Sequence, residues 1–223
     1  VGGEGEGEGN FFGVFATVYE DGLTSANSDG QSVGNPEGYN TATSAIIHAS
    51  DLASLVSFGA DQPGSFHLNP NAVAPALFSH GDAVTYSVSG DTLTASAGGR
   101  VVFTLHDNGD QTFTFVLKDQ IDHANASGDY ATLTINLASA FIATDSDGDS
   151  VVLDGTINIA VENDVPVQNF SASVSGSVQE DALTLANSDG HAVGNSEGSD
   201  QTTVATGSLS SLVSVGAERA QDR

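Results

Sequence analysis

The chain contains no cysteine, no methionine and no tryptophan, and only four Lys and Arg stand against 29 Asp and Glu, a formal net charge of −25. Without cysteine, neither disulfides nor thiolate metal sites can hold the fold together, so an apolar core or hard cations must do it. Two of the four basic residues, Arg219 and Arg223, fall in the last five positions, which leaves Arg100 and Lys118 for everything before them. Such a surface repels phosphate backbones and anionic lipid, which argues against nucleic-acid and peripheral membrane binding. No apolar run approaches the roughly 18 residues of a spanning helix, so membrane insertion is not expected. No basic-then-apolar signal peptide opens the sequence, and export would depend on a signal elsewhere. Divalent cations are the natural counter-charge.

High negative charge can also mean disorder, but hydrophobic residues make up 39% of this chain and occur in alternating Val, Ile, Leu, Phe and Thr runs. That pattern belongs to a folding chain. Its organisation is repetitive. Val14 to Gly38 aligns with Val174 to Gly198 at an offset of 160, with 16 identities in 25 positions that include ANSDG and VGNxEG in both copies. The match resumes as LVSFGA at Leu55 and LVSVGA at Leu212, with the offset reduced to 157. A period of this length suits whole domains in tandem rather than solenoid turns. Residues 14–165 therefore read as one complete repeat and 166–223 as the start of the next. Residues 1–13, which open as VGGEGEGEG, read as a Gly/Glu linker or edge segment.

The stretch after Asp61 reads as strands. AVTYSVSG alternates Val84, Tyr86 and Val88, and GRVVFTLH and QTFTFVLK are joined by Asp107-Asn108-Gly109-Asp110, a hairpin signal. YATLTINL and SVVLDGTINIAV come next, the latter after a DSDGD turn. Short strands with Gly and Asp turns predict an all-β, antiparallel β-sandwich. Val14 to Val18 is the expected first strand. The polar segment between it and Gly64 is expected to be a long loop-rich insertion, with one short helical turn at SDLASLVSF capped by Ser50 or Asp51.

Asp145, Asp147 and Asp149 alternate with small residues in that turn, and carboxylates crowded in this way repel one another unless a hard cation lies among them. The loop is not an EF-hand, because its glycine is fourth and its twelfth position is Thr156. A solvated hairpin turn is the alternative reading of the same residues. A second acidic group, Glu162-Asn163-Asp164, precedes Val165-Pro166 where one repeat hands over to the next. Its VENDVP is similar to the DxNDNxP linker of cadherins, where such ligands bind calcium between successive domains; Val165 replaces the second Asn. Glu20-Asp21 and Glu180-Asp181, just after the first strand of each copy, are candidate further ligands.

The ordered series VxEDxLTxANSDG, LVSxGA, DNGDQTFTFVL, ATDSDGDS and VENDVP resembles the tandem repeats of type I-secreted RTX-family giant adhesins of Gram-negative bacteria, from Val14 to Ala217. The resemblance implies an Ig-like or cadherin-like domain that binds Ca2+ outside the cell, at the bacterial surface, as a monomeric extender segment. Its implied partners are neighbouring repeats of the same chain, with a host or biofilm ligand as a further one. The alternative is a module that itself binds a carbohydrate or peptide.

Little in the sequence speaks for an enzyme. GQSVG fits the G-x-S-x-G nucleophile pattern, but its repeat copy reads GHAVG, with Ala192 in place of Ser32, and neither copy lies between a strand and a helix pattern. The six histidines are scattered singly. His123, beside Asp122, is expected to be a hydrogen-bonding loop residue.

Overall fold

A computed structural model describes residues 14–27, 41–72, 75–123, 128, 131–180, 183 and 203–217. The first strand, β1 (Val14–Tyr19), is followed by β2 (Ser44–His48), the single-turn helix α1 (Ala49–Leu52) and β3 (Ser65–Leu68). A two-residue ribbon, β4 (Phe78–Ser79) and β5 (Asp82–Ala83), leads into β6 (Thr85–Ser89), β7 (Thr92–Ala97), β8 (Arg100–Asp107) and β9 (Thr112–Leu117). Then come β10 (Thr132–Asn136), β11 (Phe141–Thr144), β12 (Ser150–Val152) and β13 (Ile157–Glu162), and finally the short pair β14 (Val167–Gln168) and β15 (Val213–Ser214). The protein is all-β. Alternation decides which face each strand buries: β7 buries Leu93, Ala95 and Ala97, and β9 buries Phe113, Phe115 and Leu117.

Five strands form an antiparallel sheet in the order β2-β9-β8-β7-β6. A second sheet runs β1-β13-β10 and a third β12-β11-β3. The buried faces of all three meet in one apolar cluster. Phe113 of the large sheet and Phe141 of β11 stack edge to face with ring centroids 4.9 Å apart, so an aromatic pair joins two of the sheets.

One pairing departs from the antiparallel expectation. β1 runs parallel to β13, in a register that sets Tyr19 opposite Glu162. Parallel neighbours need a long connection, and here the whole of β2 to β12 supplies it. β1 is thus held by β13, with the whole five-stranded sheet lying between them in the sequence.

Three further expectations need correction. The segment before Gly64 is not simply a loop-rich insertion, because Ser44–His48 is an edge strand of the main sheet, with Ile47 fully buried. Its one clear alternation, Ala45 and Ile47, is short and flanked by polar residues, which hid it. The helical turn is capped not by Ser50 or Asp51 but by His48, whose N–H donates to the Asp51 carboxylate at 2.9 Å. SVVLDGTINIAV, expected as one closing run, is broken at Gly155, which takes φ +119°, into β12 and β13.

The chain divides into two compact units, Val1–Val167 with Val215–Arg223, and Gln168–Ser214. Within the second, residues 174–178, the repeat copy of β1, form no strand. β1 exists by pairing with β13, and residues after 168 contain no copy of β13.

Candidate metal-binding sites

β11 and β12 form a hairpin that pairs Thr144 with Ser150 and leaves the five residues 145–149 as its turn. Asp145 organises that turn. Its Oδ1 accepts the N–H groups of Gly148 at 3.0 Å and Asp149 at 2.8 Å, and Gly148 takes φ +102°. One carboxylate oxygen from each of Asp145, Asp147 and Asp149 lies within 4.8 Å of the others, so these three can hold a metal ion. A hydrogen bond shared with Asp147 pulls Asp145 below its ordinary pKa, and the same bond, with repulsion from the Asp145 charge, pushes Asp147 up. Two carboxylates held this close repel, and a proton or a cation between them relieves the repulsion. Every donor is a hard oxygen, and neither His nor Cys joins the group, which fits Ca2+ or Mg2+ rather than zinc.

A second acidic group is built by the parallel strand pair. Because Tyr19 stands opposite Glu162, the residues that follow each strand, Glu20-Asp21 and Asn163-Asp164, emerge side by side. Unlike the turn, this group is buried: Glu20 is 0% exposed, Asp21 6%, Asn163 5% and Asp164 1%. Glu20 Oε1 accepts the Ile121 N–H at 2.7 Å. Asp164 accepts the N–H of Ala217 at 2.6 Å and that of Asn27 at 3.1 Å, and it is hydrogen-bonded to the Asp21 side chain. Burial pushes the Asp164 carboxyl above its ordinary pKa, against the pull of the Ala217 and Asn27 N–H groups. Asn163 donates to Gly128 O at 3.4 Å, and its buried Oδ1 has no hydrogen-bond partner among the described residues. Burying so many acids is costly unless a proton or a cation neutralises part of the charge.

The two groups have different neighbours. The 145–149 turn adjoins Val56, Ser57 and Phe58, and Ser146 N–H donates to Asp61 O at 3.2 Å, all on the segment that follows β2. The buried group adjoins Ala42, just before β2, whose O accepts the Tyr19 N–H at 2.9 Å, and Ile121, just after β9. Glu162, half-buried, is the last residue of β13. Glu180 is exposed and belongs to the second unit. Asp181 and Ser32 lie outside the described residues.

The candidate set drawn from the sequence omitted Asn27. Its backbone N–H reaches Asp164, and its side chain donates to Val165 O at 2.6 Å. The signal was present, since Asn27 falls in the ANSDG shared by both copies. Arg100 has a structural post: it donates to Asp119 at 2.9 Å and to Ser79 O at 3.2 Å, and His80 contacts the other oxygen of Asp119 at 3.1 Å. His123 contacts Val161 O at 3.1 Å, a loop-to-strand hydrogen bond.

Comparison with protein-family models, characterised proteins and solved structures gives no match.

Proposed function

We propose that this chain is a calcium-binding repeat of a large extracellular bacterial adhesin, an Ig-like or cadherin-like β-sandwich that acts as a calcium-stiffened spacer in adhesion or biofilm formation and has no enzymatic role. The observation that carries the reading is the Asp145–Asp147–Asp149 group, whose oxygens converge within 4.8 Å in a turn fixed by its own backbone. The buried Asp21–Asp164 contact supports it, because a cation there would relieve the burial of two acids. Adjacent repeats of the same chain are the partners this implies. The test is calorimetric titration of the chelated protein with Ca2+. At least one site with a dissociation constant on the order of 0.1–1 mM is expected, lost when Asp145 and Asp147 are both changed to Asn. Heat identical to buffer in the wild-type chain would sink the proposal.

A specific feature favours a second reading, a ligand-binding module. A groove of about 170 Å3 beside the turn is lined by Phe58, Val56 and Val151 together with Asp145 and Asp149. An aromatic wall next to an exposed calcium would suit a sugar or a peptide end, with the ion's open positions taken by ligand oxygens. Calcium-dependent retention on a glycan array, lost in Phe58→Ala, would decide for it.

A further inference from the structure

Strand register sets the side chains on the outer face of the five-stranded sheet into continuous rows. One row runs Ser89, Thr92, His106, Thr114, Ile46 across the five strands. The next runs Ser87, Thr94, Thr104, Val116, Ser44. These positions alternate with the buried Leu93, Leu105, Phe115 and Ile47, so they face away from the core. Neither row contains an Asp, Glu, Lys or Arg, in a chain with 29 acids. The neighbouring acid Asp107 is turned inward and buried, and Asp110 sits in the β8–β9 turn, where it accepts the Thr112 N–H at 3.1 Å.

We propose that this neutral, hydroxyl-lined sheet face is a self-association surface, and that its occupant is the same face of a second copy of this chain. Charge supplies the argument. Two chains of net charge −25 repel wherever carboxylates meet, and this face lets them approach without that cost. Thr and Ser hydroxyls donate and accept, so identical rows satisfy one another under two-fold symmetry. A sugar partner is less well served, because the two rows offer Ile46 and Val116 but no aromatic ring to stack on. Strand spacing gives the face an area of about 400 Å2, half of the roughly 800 Å2 that each partner contributes to a standard interface. One pair of faces is therefore a weak contact, which an array of repeats would multiply through avidity. The inference stands apart from calcium binding and does not depend on it.

Sedimentation velocity of the intact chain from 0.01 to 1 mM tests it. With a dissociation constant on the order of 1 mM, the weight-average mass should rise about 1.5-fold at the top concentration in high salt. The rise should be smaller in low salt, where repulsion is unscreened. Thr94→Asp with Thr104→Asp should hold the chain monomeric, while Thr134→Asp, exposed on β10 of a different sheet, should associate as wild type does. A mass independent of concentration, an unaffected Thr94/Thr104 variant, or a monomeric Thr134→Asp would each overturn the proposal. So would a chain that stays monomeric yet is retarded in native gels containing a neutral glycan. If the double variant fails to fold, dilution NMR of wild type reads the same surface: the amides of Thr94, Thr104 and Thr114 should shift with concentration, and stationary amides there would overturn it.

Discussion

The backbone N–H of Asn27 donates to the carboxylate of Asp164, 137 positions further along the chain. That contact ties the recurring ANSDG segment to the acidic residues that close the repeat, and the Asn27 side chain holds the next carbonyl, Val165 O, at 2.6 Å. Asp164→Ala would leave the N–H groups of Asn27 and Ala217 without their acceptor in a buried setting. A loss of about 2–3 kcal/mol is expected, read as a lower urea midpoint with an unchanged slope. Asp164→Asn, which keeps one acceptor oxygen, should lose less.

The same carboxylate predicts a pH dependence. Burial raises the folded-state pKa of Asp164 above its unfolded value, so the fold favours the protonated form. The favourable contribution is present below the ordinary carboxylate range, near pH 4. It is lost as the pH rises through the raised value, opposite in sign to a salt-bridged Asp. In EDTA, the melting temperature of wild type should therefore fall with rising pH more steeply than that of Asp164→Asn. Saturating Ca2+ should flatten the difference if the ion occupies this end of the unit. Parallel curves for the two proteins in EDTA would remove Asp164 as the cause.

Gly216 carries a narrower prediction. Its φ of +67° is left-handed, and a Cβ at this position would overlap Asp164 Oδ2. Gly216→Ala should cost roughly 1–2 kcal/mol in backbone strain alone. The effect should be local: the Ala217 amide loses hydrogen-exchange protection while amides of the large sheet, such as Phe103, keep theirs.

These contacts show which parts of the structure the sequence made legible. Gly59 and Gly216, at matching places in the two copies, both take φ near +65°, and the 3-10 turn Ala53–Leu55 has its counterpart in Ser210–Leu212. Such features are set by a few adjacent residues, so they recur wherever the words recur. The hairpin at Asn108-Gly109 and the short turn at Ala49–Leu52 were legible for the same reason. β1 behaves differently. Residues 174–178 resemble it but form no strand, because the ladder it needs comes from β13. The parallel pairing of β1 with β13 spans the whole repeat and leaves no mark in local periodicity, so the side-by-side placement of Glu20-Asp21 and Asn163-Asp164 had to be assumed. Asp145, Asp147 and Asp149 needed no such pairing across the chain, since their spacing within one turn already brings their oxygens together.

Packing between sheets gives a test of a different kind. Phe113 and Phe141 are both fully buried and meet edge to face across two sheets. Phe113→Ala should lower stability by about 3–5 kcal/mol, through lost burial and a residual cavity. Phe113→Leu should cost clearly less. Both are measured by urea denaturation in saturating Ca2+, so that the metal contribution stays constant.

Calcium itself provides the last and most direct expectation. Free Ca2+ at tenfold excess over the dissociation constant stabilises the folded state by roughly 1.4 kcal/mol per site. For a domain of this size that shifts the melting temperature by about 3–6 °C. Asp147 is pushed above its ordinary pKa by its contact with Asp145, so an ion binding there competes with a proton. The calcium-induced shift should therefore grow from pH 4.5 to pH 7.5. Asp147→Asn removes the repulsion from Asp145 as well as a ligand, so this variant should melt at or slightly above wild type in EDTA and below it in Ca2+. A crossing of that sort separates a metal site from a solvated turn: if the two proteins differ by the same amount in EDTA and in Ca2+, the three aspartates are turn residues and nothing more.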